Sequence, residues 1–302
     1  MKHYSVLLKE SIDALKLKEN GIYVDATLGG GGHSEAILLS LKGGHLYGFD
    51  QDQYALKTAQ ERLKGFNNFT AVASNFEFIQ EELKALGIDK IDGVVMDLGM
   101  SSFQIDDASR GFSYMQDAKL DMRMNQHQTK TAYDIVNNAS YEELVYMFEV
   151  YGEEDFARPI ARKIIESRPL NTTFDLVKIT DMYKYKSKSH SAKQVFQALR
   201  IAVNDELGVL ERTLPKLLSM LNPDGVMSII TFHSLEDRIV KHFFKTNSEV
   251  HVPKGIPMLK LPTPPLRLLT KKPILPSEQE LTENSRSNSA KLRVAIKNEV
   301  AE

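Results

Sequence analysis

The feature that most limits how this chain can fold is a regular alternation of strand-like and helix-like segments over its first hundred residues. "GIYVDAT" (21–27), "HLYGFD" (45–50), "FTAVAS" (69–74) and "IDGVVMDL" (91–98) read as strands, with "HSEAILLSL" (33–41), "QYALKTAQERL" (53–63) and "FEFIQEELKALG" (76–87) as helices between them. Phe78, Ile79, Leu83 and Leu86 have helical spacing and predict one apolar face, whereas the run Gly93-Val94-Val95-Met96 suits a parallel strand buried on both sides. Such alternation calls for a parallel, doubly wound sheet with right-handed crossovers, an α/β fold.

The rhythm stops after Leu98. From about 106 to 205 the signals are helical: "SYEELVYMFEVYG" (140–152) opens on a Ser140-x-x-Glu143 capping box ahead of Leu144, Met147 and Phe148. "EDFARPIARKIIES" (154–167) and "SAKQVFQALRIAV" (191–203) read the same way. Alternation then resumes, with a helix over 206–221, a turn at "NPDG" (222–225), a strand at "VMSIITF" (226–232) and a helix at "SLEDRIVKHFF" (234–244). The plainest account is one α/β domain, 1–105 and 206–302, interrupted by an inserted helical domain, 106–205. Two successive domains would leave "VMSIITF" without a sheet to join. Residues 253–276 hold seven of the eleven prolines and predict an irregular loop, and "KLRVAIK" (291–297) reads as a closing strand.

A composition of 42% hydrophobic and 26% charged residues is that of a soluble globular protein. With no cysteine, neither a disulfide framework nor a thiolate metal site can form. The opening "MKHYSVLLKESIDAL" has too short an apolar run for a secretory leader, and no segment approaches the roughly 18 apolar residues of a membrane span. These features predict a cytoplasmic protein. A net charge of −2 argues against a globally basic coat, not against a local basic patch. No H-E-x-x-H pattern occurs, so no metal is expected, although scattered carboxylates remain able to hold Mg²⁺.

Four consecutive glycines, Gly29 to Gly32, separate the first strand from the first helix. A glycine-rich turn at this place in such a sheet is where nucleotide-like ligands bind. A triphosphate loop does not fit: Thr27 stands where its first glycine belongs, and His33 and Ser34 follow Gly32. A dinucleotide fingerprint does not fit either, because its third glycine falls on Ser34 or Glu35 in the two possible frames. What remains is Asp25-x-x-x-Gly29-x-Gly31, similar to the first motif of S-adenosylmethionine-dependent methyltransferase sheets. There the loop admits the methionine portion and ribose, and the helix N-terminus at Gly32 and His33 offers N–H groups to a carboxylate.

Further positions suit such a ligand. Asp50 ends the second strand, where a carboxylate can accept from both ribose hydroxyls. Phe76 follows the third strand and reads either as a wall for the adenine or as a core aromatic. Asp97, Gly99 and Ser101 close the fourth strand, with Gln104 in reach of the same edge; Asp97 reads as a site residue or as a turn cap. Lys178, Lys184, Lys186, Lys188, Lys193 and Arg200 surround Tyr183, Tyr185 and His190. Cations beside stackable rings suit looped or single-stranded RNA, and the same run reads equally as a solvated face.

Taken together, "HYSVLLKE", "DATLGGGGHS", "FDQD", "DLGMSS", "RGFSY", "LDMRM", "FQALRIAVNDEL", "ITFHSLEDR" and "SAKLRVA" resemble the RsmH (MraW) family. These are methyltransferases of 16S ribosomal RNA that modify the N4 of a cytidine in the decoding region. The blocks occur in the family's order along nearly the whole chain. The resemblance implies a Rossmann-like methyltransferase sheet with a helical insert, S-adenosylmethionine as cofactor and the small ribosomal subunit as partner. It places cofactor contacts on Gly31, Gly32, His33, Asp50, Phe76, Asp97 and Gln104. Phe103 stands where the family usually has proline, and Gln194 and Asn288 each replace a cation of the family pattern.

Cytosine N4 is a weak nucleophile, so an enzyme must position it and accept hydrogen bonds from its N–H groups. Segment 97–104 is the expected source of that help, Asp97 foremost, with His233 and Ser234 as second candidates for the base pocket. Two other classes stay open at this stage: an oxidoreductase using a nucleotide cofactor, and a non-catalytic RNA-binding assembly factor.

Overall fold

The structure, a computed structural model, describes residues 5–184, 190–250 and 262–299. The chain divides into two compact units, Met1–Gly99 with Val209–Glu302, and Met100–Gly208.

In the first unit, α1 (Leu8–Leu15) precedes the alternating series: β1 (Ile22–Asp25), α2 (Gly32–Ser40), β2 (His45–Asp50), α3 (Gln53–Leu63), β3 (Phe69–Ala73), α4 (Ile79–Ala85) and β4 (Ile91–Asp97). Four strands pair in parallel in the order β3-β2-β1-β4. Strand order therefore reverses between β1 and β4, so the crevice at their carboxyl ends lies at Asp25–Gly32 and Asp97. The apolar run of β4 is buried on both faces: Val94, Val95 and Met96 are fully enclosed. Side chains from alternate faces enter two different clusters, one around Val94 and Met96 and the other around Val95. In α4 the expected apolar face is narrower than the spacing predicts. Ile79 and Leu83 are fully buried, but Phe78 is 50% and Leu86 48% exposed. Phe78 falls in a 3₁₀ turn (Phe76–Phe78) and Leu86 just past the helix end, so neither keeps the helical phase.

In the second unit, after α5 (Ser102–Asp106), come α6 (Ala132–Asn138), α7 (Tyr141–Val150), α8 (Ala157–Ser167), α9 (Thr173–Lys184) and α10 (Lys193–Asn204). The Ser140/Glu143 capping box of α7 is present in both directions, and Leu144, Met147 and Phe148 are buried by the helix it starts. They join the unit's own core with Ile160, Ile164, Phe196 and Leu199.

α11 (Glu206–Met220) leads back into the sheet through β5 (Leu221–Thr231), which pairs parallel with β4. The expected turn at 222–225 is a bulge inside this strand: pairing jumps from Ile91↔Leu221 to Gly93↔Val226, with Asp224 at φ 61°. α12 (Ser234–Ser248), β6 (Leu266–Leu268), α13 (Glu278–Glu283) and β7 (Lys291–Lys297) complete the unit. β7 runs antiparallel to β5 and to β6, giving seven strands in the order β3-β2-β1-β4-β5-β7-β6. The stretch expected as an irregular loop thus contributes a short edge strand, in the proline-free run between Pro265 and Pro273. Among the described residues no helix is long and apolar enough to cross a membrane.

Candidate active site

At the end of β1 the chain turns through Leu28 to Gly31, whose N–H donates to the Leu28 carbonyl at 2.8 Å. Gly31 then takes φ 75° as the N-cap of α2, a left-handed conformation that a side chain would strain. Gly32 is bare for a different reason. A Cβ there would lie 2.0 Å from Ser5 Oγ, so the close approach is made by the chain's own N-terminal segment. Gly29 also has positive φ, 49°, and a Cβ on it would meet nothing nearer than 3.8 Å. Of Gly29, Gly31 and Gly32, Gly29 is the one whose surroundings stay open.

Carboxylates hold this turn from both sides. Asp50, at the end of β2, accepts from the Gly29 N–H at 2.9 Å and from the Asp52 N–H at 2.9 Å. Burial raises its pKa to about 6. Asp52 caps α3 by accepting from Tyr54 N–H. Asp25 is 1% exposed; it accepts from Ser34 Oγ at 2.7 Å and from Thr27 N–H at 3.1 Å, and burial raises it too to about 6. Thr27 Oγ1 in turn accepts from the Asp97 N–H at 2.6 Å, which ties the end of β1 to the end of β4. Thr27 and Ser34 were not singled out from sequence; their only signal was membership of the "DATLGGGGHS" block.

Asp97 is the least satisfied polar group of the site. Its Oδ1 is buried without a hydrogen-bond partner, and its Oδ2 lies 3.7 Å from His33 Nδ1. Burial, then the neighbouring Asp25, Glu236 and Glu280, push its pKa well above the usual carboxylate range. His33 is 4% exposed and held at about 4 by burial, so its ring is neutral near pH 7. Its Nε2 faces the Val6 carbonyl at 3.2 Å. Phe76 begins the 3₁₀ turn after β3 and packs, partly buried, against the core that includes Val94 and Met96.

Other expected site residues have local work to do. Gln104, in the second unit, is 5% exposed, and its Oε1 accepts from the Ser101 N–H at 3.2 Å in the capping box of α5. His233 caps α12 in a box with Glu236, which accepts from the His233 N–H at 3.3 Å. In the same block Asp237 receives Arg293 of β7 at 2.7 Å, with both side chains nearly enclosed, so "SLEDR" and "KLRVA" meet as a fastener between α12 and the sheet.

The expected RNA-binding set divides. Arg200 is not presented outward: its guanidinium forms two parallel bonds to Glu206, at 2.7 and 2.9 Å, with the side chains 12% and 11% exposed. The pair neutralises the charge that the sequence pattern assigned to RNA. Lys193 starts α10 and is exposed. His190 stacks on Tyr114 at 4.4 Å and 29°. Lys186 and Lys188 lie outside the described residues, and of Lys184 only its place at the end of α9 is described. Gln194 donates to the Glu153 carbonyl at 2.6 Å and Asn288 to that of Ser285 at 2.8 Å, so both family departures make local contacts.

Sheet order and glycine turn together define a Rossmann-like methyltransferase fold. Residues 1–298 match the MraW methylase family. The ribosomal RNA small subunit methyltransferase H 1 of Acholeplasma laidlawii (strain PG-8A) is 59% identical over 297 residues, covering 98% of this chain and 99% of that protein. The chain belongs to the MraW methylase family. Among solved structures, an rRNA methylase from Streptococcus thermophilus is 13% identical with a TM-score of 0.44, covering 99% of each chain. A SAM-dependent O-methyltransferase from Thermotoga maritima is 10% identical with a TM-score of 0.41, covering 97% of this chain and 66% of that one. Likeness at that level adds nothing to the assignment. Family membership favours neither the oxidoreductase nor the non-catalytic alternative.

Proposed function

We propose that this protein transfers a methyl group from S-adenosylmethionine to the N4 of a cytidine in the decoding region of 16S ribosomal RNA, acting in the cytoplasm on the small subunit. The observation that carries the reading is the buried, unpartnered Oδ1 of Asp97 at the switch point of the sheet, on a strand end bonded to Thr27 just ahead of the glycine turn. A buried carboxylate oxygen with nothing to accept is stabilised by an incoming cation.

The residues present fit S-adenosylmethionine. Asp97 would counter its positive charge, Asp50 would take its ribose hydroxyls, and Phe76 would flank its adenine. The first turn of α2, with no side-chain cap, would receive its carboxylate through Gly32 and His33, with Gly31 shaping the turn. When bound, this cofactor supplies an electrophilic methyl group. The chain's own part is to hold and orient. Asp97 accepts a hydrogen bond from the cytosine amino group and keeps its lone pair directed at the reacting end. The base must leave its stack to arrive there, at a cost of a few kcal/mol offset by pocket contacts. RNA is held by the second unit, through Lys193, His190 and the lysines at 184, 186 and 188.

Calorimetry separates this reading from the oxidoreductase one. Tight binding of S-adenosylmethionine and none of NAD(H) is expected; tight NAD(H) binding with no response to S-adenosylmethionine would overturn it.

A further inference from the structure

The helical unit contains a cleft of about 870 Å³ that methyl transfer does not use, toward the upper end of the size range of ligand pockets. It is walled by α6, α7 and the C-terminal end of α10. Its floor is apolar, with Ile135, Met147 and Ile201 all buried. Over that floor stand Tyr146 and Tyr151, edge to face at 5.7 Å and 77°, with Tyr146 55% exposed.

The charge of the cleft is one-sided. Asp134, Glu142, Glu143 and Asp205 line it against a single cation among the described lining residues, Lys130. Asp134 and Glu143 also cap their own helices, through Thr131 and Ser140, and keep their charge in doing so. The carbonyl end of the twelve-residue helix α10 adds negative potential at Asp205. RNA phosphates are therefore repelled here, while a cation finds carboxylates and an exposed aromatic face together.

We propose that this cleft is a docking surface for a basic protein segment, an arginine- and lysine-rich stretch supplied by a partner. Its aliphatic stems lie on Ile135, Met147 and Ile201. Its guanidinium groups meet Glu142 and stack on Tyr146. The inference does not depend on the methyl-transfer reading, since none of these residues belongs to the first unit.

The test titrates the full chain with a fluorescein-labelled alternating arginine–alanine peptide, read by anisotropy. Saturable one-to-one binding is expected, weakened about tenfold by Tyr146→Ala and by Glu142→Lys. Lys130→Glu should tighten it, a gain that misfolding cannot imitate. Oligouridylate should not compete. If Glu142→Lys fails to fold, Glu142→Gln serves in its place with a smaller loss. Equal affinity across wild type and all variants overturns the proposal. So does displacement by spermine at equal charge concentration, which would mean diffuse attraction instead of a seated peptide.

Discussion

His33 Nδ1 lies 3.7 Å from Asp97 Oδ2, and the two do not form an ion pair. The Val6 carbonyl, 3.2 Å from Nε2, can only accept, so the single proton of the neutral ring sits on Nε2. Nδ1 therefore presents a lone pair to a carboxylate whose other oxygen already has no partner. A proton on Asp97 relieves this arrangement, which agrees with the upward shift of its pKa. So does a bound cation. S-adenosylmethionine should therefore displace the proton, because a positive charge lowers the pKa of Asp97 again. Calorimetry in buffers of different ionisation enthalpy, repeated across a series of pH values, should show proton release on binding wherever Asp97 of the free protein holds its proton, and Asp97→Asn should abolish it. Binding heats independent of buffer would count against the assignment.

Asp50 offers a second handle. It accepts from Gly29 and Asp52 and is the proposed ribose acceptor. Asp50→Ala leaves the Gly29 N–H without its charged partner and removes the sugar contact, together costing about 1.5–3 kcal/mol or more, a tenfold to hundredfold loss of cofactor affinity. Asp52→Ala removes the cap of α3 and should cost about 1 kcal/mol of stability with affinity unchanged. Unaltered cofactor affinity in Asp50→Ala would refute the ribose role.

The pH dependence of stability follows from His33. Its pKa falls from 6.5 in the unfolded chain to about 4 in the fold, so over that window the unfolded state binds the extra proton. Stability attributable to this residue is complete above about pH 7 and declines as pH falls toward 4. Asp25, raised from 3.8 to about 6, has the opposite sign and masks the trend in the wild type. His33→Gln isolates it: relative to wild type, the variant should gain about 3 kcal/mol between pH 7 and pH 4. Urea titrations across that range measure the difference, and a constant gap would refute the buried neutral ring.

Arg200 and Lys193 should part company. Lys193→Ala is expected to lower the salt slope of RNA binding by about 0.7, as for one lost phosphate contact on a single strand. Arg200→Ala removes the two guanidinium bonds to Glu206, destabilising the fold by about 3 kcal/mol while the slope stays unchanged. A slope change in Arg200→Ala would return that residue to the RNA face.

Features set by neighbours along the chain were legible before any coordinates. The α7 capping box, the four parallel strands and the bounds of β7 depend on contacts within a few residues or on simple periodicity. What stayed hidden depends on partners that local pattern does not reveal. Gly32 looked like room for a ligand because the residue that fills it, Ser5, lies 27 positions earlier, as does Val6 from His33. Arg200 looked like a free cation because Glu206 sits past the end of its helix. The "NPDG" bulge reads as a turn in isolation; only pairing with β4 shows that the strand continues through it. At the site, residue types that suit a cofactor were visible, but the unpartnered oxygen of Asp97 was not, since lacking a partner is a property of the whole fold.

The most direct measurement incubates the protein with methyl-labelled S-adenosylmethionine and small ribosomal subunits lacking the modification, then digests the RNA to nucleosides and locates the label. The account predicts label in N4-methylcytidine from the decoding region, strongly reduced in Asp97→Asn. Label in a different nucleoside, or none in the RNA while the cofactor still binds, would contradict it.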